Sequence, residues 1–271
     1  MKTAVVTGGN SGIGKATALA LAKKGYKVII HGKDAEKTKR ACEELKKLSG
    51  NNAIEFVAVD ITTILGMKRL ASEIKSITSE INALVLSTGV ILPKHVITLD
   101  KLEKGFAIQY LSRFAITQLL LSELKAGNAK IVHVGAPVIK GAKIHFDNIT
   151  LNNGFKMIKA MAQEMFANHL YVQEFAKRNP DNKMVMNMAD VGIAKTEITR
   201  NVNFIFKIFV SIFGKSAEKA ASNFAFLASD ETVNYSGYFL PKPNNPSFKE
   251  KINYDPEIAS RLWDLSVELI K

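Results

Sequence analysis

Short apolar runs alternate along the chain with longer stretches in which apolar residues recur every three or four positions. "TAVVT" (Thr3 to Thr7) precedes a helical pattern that closes at Gly25, and "KVIIH" (Lys27 to His31) precedes a charged helix from Asp34 to about Leu48. "IEFVAV" precedes a helix from about Thr62 to Ile77, "ALVLS" one from about Leu99 to Leu124, and "KIVHVG" one from about Phe155 to Lys177. "KMVMNM" and "YSGYFL" predict two more strands, and "DPEIASRLWDLSVELIK" a closing amphipathic helix. Unbroken Val/Ile runs predict strands covered on both faces. Strand–helix alternation predicts right-handed crossovers and a parallel, doubly wound α/β sheet of about seven strands with helices on both faces. There is no internal repeat, low-complexity tract or linker, so one domain is expected over 1–271.

Composition narrows the class. Apolar residues make up 47% of 271, charged residues 23%, and mean hydropathy is +0.04. That is a globular composition, long enough for a core without staples. Cys42 is the one cysteine. It cannot form an internal disulfide, and no Cys/His cluster has zinc spacing, so no metal is expected. A reducing, cytoplasmic setting is the simplest expectation. The start, "MKTAVVTGG", goes straight into a strand pattern rather than a signal peptide. No apolar run approaches the roughly 18 residues of a membrane span. Net charge is +12, but the lysines of "KDAEKTKRACEELKK" interleave with glutamates, the mark of a solvated face. Without an aromatic-plus-basic stacking platform, no nucleic acid is expected as a partner.

The first strand-to-helix turn carries the strongest chemical signal. "TGGNSGIG" spans Thr7 to Gly14 and includes Gly8, Asn10, Ser11, Gly12, Ile13 and Gly14. Glycines allow positive φ and close approach of a pyrophosphate to the backbone. The helix that follows aims N–H groups and partial positive charge at the anion. Its context, between a first strand and a first helix, is that of a dinucleotide site. At the end of the second strand an acid would favour NAD. Here Gly32 and Lys33 follow the strand, and a cation suits a 2′-phosphate, so NADP(H) is favoured over NAD(H). Asp60 and Ile61, ending the third strand, are placed for the adenine edge; Asp60 could equally cap the next helix.

These residues resemble a family. "TGGNSGIG" is similar to the TGxxxGIG signature of short-chain dehydrogenases/reductases, and later segments resemble the retinol-dehydrogenase-like branch: "FAIQYLSRFAITQLLL", "GAKIHFDNIT", "MADVGIAKTEITR", "KSAEKAASNFAFLAS" and "RLWDLSVELI". The resemblance runs essentially end to end. It implies a Rossmann-type fold, NADP(H) binding and ancestral carbonyl–alcohol interconversion by hydride transfer. The family uses Asn, Ser, Tyr and Lys. The carbonyl oxygen needs a proton and a hydrogen bond as it gains charge. Tyrosine, with a free pKa of about 10, needs a nearby cation to give that proton.

Carried over by position, the resemblance implies that all four are replaced: Gln109 for Asn, Ala136 for Ser, and Met161-x-x-x-Met165 for Tyr-x-x-x-Lys. Methionine and alanine have no proton to give. The motif after strand four reads Leu86-Ser87-Thr88-Gly89, with Gly89 kept, and that after strand six reads Val191-Gly192. Thr196, which in the family would bond the nicotinamide amide, is kept. Asp190 is a candidate substitute acid or base, against a turn role. His169 and His133 read as buried helix and strand residues, Tyr110 and Tyr171 as packing, and His145 as a candidate ligand contact. "NFIFKIFVSIFG" falls where the family places a substrate lid, near 195–215, and reads equally as a greasy lid or as packing.

The expectation is a repurposed or catalytically silent relative that binds NADP(H) and acts on or senses an apolar small molecule. Two alternatives stay open: an atypical oxidoreductase using water, Gln109 or Asp190 for the proton, and a partner- or membrane-binding module with an empty nucleotide site. A basic surface beside the Phe-rich segment could rest on an anionic membrane, and the resemblance implies that homo-oligomers through two long helices are possible, with monomeric or membrane-associated members in the same branch.

Overall fold

The structure is a computed structural model that describes residues 1–181, 183–192, 217–242, 245 and 247–271. Strands β1 (Thr3–Thr7), β2 (Lys27–Gly32), β3 (Ile54–Ala58), β4 (Ala83–Leu86), β5 (Lys130–Gly135), β6 (Val185–Asp190), β7 (Tyr238–Leu240) and β8 (Glu250–Lys251) form one sheet in the order β3-β2-β1-β4-β5-β6-β7-β8. Every pairing is parallel except β7–β8. The sheet is therefore the doubly wound α/β sheet expected, with one strand more than the seven anticipated. The addition is two charged residues, which have no apolar run to announce them.

The pleat divides the core. Val5, Ile29, Leu84, Leu86 and Ile131 point into one cluster, while their neighbours Ala4, Val6, Val28, Ile30, Val85 and Val132 point into the other. Helices α3 (Ile64–Ile77) and α7 (Met157–Arg178) cover the first face through Met67, Leu70, Leu170 and Phe175. Helices α1 (Gly12–Lys23), α2 (Ala35–Ser49) and α8 (Ala217–Ser229) cover the second through Leu21, Leu45 and Phe224. Cys42, on α2, is buried in that second layer and its thiol donates to the Ile54 carbonyl. Helix α9 (Pro256–Leu269) closes the first face; Asp255 caps it, accepting from the Glu257 N–H, and proline begins it.

The helix expected from about Leu99 begins later and in pieces. A turn occupies Thr98 to Leu102, with Leu102 O accepting from Thr98 N and Lys101 at φ 61°. Glu103 then caps α4 (Lys104–Phe106), its carboxylate oxygens accepting from the Gly105 and Phe106 N–H groups. A π-helical turn follows over Ala107–Leu111, then α5 (Ser112–Leu119) and α6 (Leu121–Ala126). The described residues include no helix long and apolar enough to cross a membrane.

Candidate functional site

The strand order reverses between β1 and β4, and the crevice at the carboxyl ends of these strands is where doubly wound sheets bind ligands. A cavity of about 1050 Å³ opens there. It runs from the β1–α1 turn, past the ends of β2 and β3, to the ends of β5 and the flank of α7.

The turn is built for an anion. Gly8 and Gly12 have φ of 65° and 54°, which side-chain-bearing residues avoid. Gly14 serves closeness instead: a Cβ there would overlap the Gly8 carbonyl and the Ser87 hydroxyl. Ser87 in turn ties β4 to β1, its hydroxyl donating to Thr7 O at 2.5 Å and its N–H to Thr7 Oγ1 at 3.1 Å. Ser11 precedes α1 in extended geometry and makes no capping bond, and no acid lies in the first turn. The helix N-terminus therefore faces the cavity with its N–H groups and positive end uncompensated.

At the end of β2, Asn10 Nδ2 donates to Thr38 Oγ1 at 3.1 Å across Gly32, where any Cβ would overlap both. Lys33 Nζ pairs with Asp60 Oδ2 at 2.8 Å. Burial raises the Asp60 carboxyl, but hydrogen bonds from Lys33 and Thr62 outweigh it and hold the group below its usual range. Asp34 caps α2 by accepting from the Lys37 N–H, so the acid next to Lys33 is engaged with backbone. Lys33, Asp60, Ile61 and Gly89 all line the cavity.

The cavity is also lined by Ala136, Met161, Met165 and Gln109, from the end of β5, α7 and the π turn that follows α4, and by Val90, Ile91 and Leu92 after β4. On α7, residues 161, 164, 165 and 168 share one face. Between the methionines sits Glu164, 4% exposed, whose Oε2 accepts from Gln109 Nε2. It also bonds the carboxylate of Glu103, itself 1% exposed. Gly105 makes room for this contact, since a Cβ there would overlap Glu164 Oε1. Burial, then the neighbouring Glu103 charge, push the Glu164 carboxyl well above its usual range; the bond from Gln109 and the Arg113 charge oppose the shift.

Arg113, on α5, is 5% exposed and donates to the carbonyls of Val134 at 2.9 Å and Thr88 at 3.2 Å. Burial lowers its pKa to about 10, which leaves it a cation. Asn168 ties the parts together. Its Nδ2 donates to the Gln109 carbonyl in the π turn and to Glu164 O, while its Oδ1 lies 3.1 Å from His133 Nδ1. His133 is fully buried and, through burial and the Arg113 charge, held neutral far below its usual range.

With this geometry in place, the comparisons with known proteins are decisive at the level of family. The short chain dehydrogenase family model matches residues 2–146. The chain belongs to this family. It is similar to human retinol dehydrogenase 13, 28% identical over 282 residues that cover 99% of this chain and 84% of that protein. An uncharacterized protein from Mycobacterium paratuberculosis shares the fold with TM-score 0.75 at 21% identity, over 100% of this chain and 93% of that one. So does an NADP-bound 3-oxoacyl (acyl-carrier-protein) reductase from Agrobacterium tumefaciens, with TM-score 0.70 at 20% identity over 88% and 92%.

Short chain dehydrogenases bind NAD(P), and the residues present fit such a group: a helix N-terminus without an acid, glycines where a Cβ would fill the cradle, and cations at the end of β2. The structure gathers Gly8, Asn10, Ser11, Gly12, Ile13, Gly14, Lys33, Asp60, Ile61 and Gly89 along one cavity, with Gln109, Ala136, Met161 and Met165 at its far end. Thr196 and the lid segment near 195–215 lie outside the described residues. Asp190 is not among the described residues that line the cavity; its Oδ1 accepts from Gly192 N at 2.8 Å, as its turn reading expects. His169 packs on Phe239 and bonds Ala136 O, and His145 lies outside the lining. Sequence reasoning missed Glu164, Glu103, Arg113 and Asn168. A signal existed: Glu164 is three residues from Met161 and Arg113 four from Gln109, so each shares a face with a residue already placed at the site.

Proposed function

We propose that this short chain dehydrogenase binds NADP(H) along the cavity and is a non-standard member of its family, acting on or sensing an apolar ligand. One observation carries the reading. The cradle end keeps its glycines, an open helix N-terminus and nearby lysines, while the far end presents Ala136, Met161 and Met165 and, among the described residues, no tyrosine. The family's usual proton donor and its tuning cation have no equivalent at those positions. A positioned acid is worth roughly 10²–10⁴-fold in rate, so its loss removes most of the usual activity.

Lys33 and Lys37 line the cavity beside the end of β2, which supports NADP(H) over NAD(H). Val90, Ile91, Leu92, Met161 and Met165 support an apolar ligand, and retinol dehydrogenase 13 is named for one. Fluorescence titration with NADPH, beside turnover of a panel of apolar aldehydes and ketones, tests the reading. Saturable micromolar NADPH binding with turnover at least about 100-fold below that of a relative with an intact tyrosine and lysine is expected. Absence of NADPH binding, or rapid turnover of simple carbonyls, overturns it. The buried carboxyl at the far end favours a repurposed site over a silent one.

A further inference from the structure

The far end of the cavity has lost a tyrosine-and-lysine chemistry but is not chemically empty. Glu164 reaches the lining from the α7 face that also carries Met161 and Met165. Its two oxygens have different partners. One accepts from Gln109 Nε2; the other lies over Gly105 toward Glu103. Both Glu103 oxygens already accept backbone N–H bonds, at 2.9 and 2.7 Å. In the carboxyl–carboxyl contact the proton therefore comes from Glu164. Two carboxylates this close cannot both ionise, so the pair retains one proton.

The charged groups facing Glu164 are Glu103 before α4 and Arg113 on α5; Lys104 lines the same cavity. His133, behind Asn168, is neutral. The guanidinium of Arg113 is held by the carbonyls of Thr88 and Val134 and by Asn168, and among the described residues no carboxylate is bonded to it. A buried cation with neutral partners favours negative charge arising nearby.

We propose that Glu164 is the proton donor of this cavity, with Gln109 and Glu103 orienting its carboxyl and Arg113 facing the carboxylate that remains. The inference rests on the reading that a dinucleotide fills the cavity. When bound, a reduced nicotinamide would supply the hydride that a carbonyl carbon accepts. The carbonyl oxygen then takes the Glu164 proton, whose O–H turns from Glu103 to the substrate: the Glu164 O–H bond breaks, the alcohol O–H forms, and the nicotinamide would be left oxidised. Water returns a proton to Glu164. In the reverse sense the carboxylate accepts the alcohol proton. An acid and a separate buried cation thus divide the work that the family's tyrosine and lysine do.

The test reads protons as well as rates. An oxidised nicotinamide is cationic and favours the carboxylate, whereas the reduced ring is neutral. The ratio of NADP+ to NADPH affinity is therefore expected to rise with pH, by up to about tenfold per unit, until Glu164 is ionised. The 2′-phosphate is common to both ligands and cancels in the ratio. Glu164→Gln should flatten the profile and abolish an infrared band of a protonated carboxyl that the unmodified protein shows. Glu103→Gln removes the neighbouring charge and should move the midpoint to lower pH. It keeps the question answerable should Glu164→Gln not fold. A ratio independent of pH in the unmodified protein, an unchanged profile in Glu164→Gln, or an unmoved midpoint in Glu103→Gln overturns the proposal. If neither dinucleotide binds while the carboxyl band persists, it is the reading of the cavity that fails, and the donor role with it.

Discussion

At the scale of single residues, the proposed preference for NADPH turns on the Lys33–Asp60 pair. The two side chains are 69% and 42% exposed, so their ion pair contributes at most about 1 kcal/mol. That is little to give up when a phosphate competes for the ammonium. Lys33→Glu should weaken NADPH about tenfold or more and NADH much less, measured as the ratio of the two Kd values. Lys33 was legible in the sequence because it directly follows an unmistakable strand. Glu164 shares a face with Met161 but was missed, because a glutamate on an amphipathic helix reads as solvent-facing. What overrides that reading is the bare backbone of Gly105, fifty-nine residues away, which lets a carboxyl sit where a side chain would otherwise be.

At the scale of elements, the interrupted α4–α5 stretch is the hinge between fold and site. π turns are rare and cluster at functional positions. Here the turn over Ala107–Leu111 presents the Gln109 carbonyl to Asn168, and so clamps α7 against the π turn and, through His133, against β5. Asn168→Leu would strip partners from the Gln109 carbonyl, Arg113 and His133 together. A loss of about 2–3 kcal/mol in urea unfolding is expected, with NADPH affinity falling less than stability if the cradle is independent. The strand–helix order could be read from apolar periodicity alone. The late start at Lys104 could not, because the apolar positions Leu99 and Leu102 continue the helical spacing while the backbone is already committed to a turn at Thr98.

At the scale of the whole molecule, the sheet order places the glycine turn, the Lys33–Asp60 pair and the Glu164 cluster along one crevice, although Gly8 and Glu164 are 156 residues apart in sequence. The class of fold followed from the alternation of β and α patterns, because only a crossover-connected parallel sheet buries both faces of so many Val/Ile strands. Convergence of the far end did not follow, since it depends on packing of α7 against the π turn. The second layer of the core also contains a reporter. Cys42 is 4% exposed, its thiol is pushed up by burial, and it is hydrogen-bonded to Ile54 in β3. A thiol probe can reach it only when α2 lifts from the sheet. Because Asp34, directly after Lys33, caps α2, lifting the helix dismantles the Lys33 side of the crevice. Labelling of Cys42 should therefore slow about 100-fold when NADPH is present at 100 times its Kd. If NADPH slows the labelling, the native chain would report occupancy of the proposed nucleotide site through a single atom of sulfur, without any engineered label.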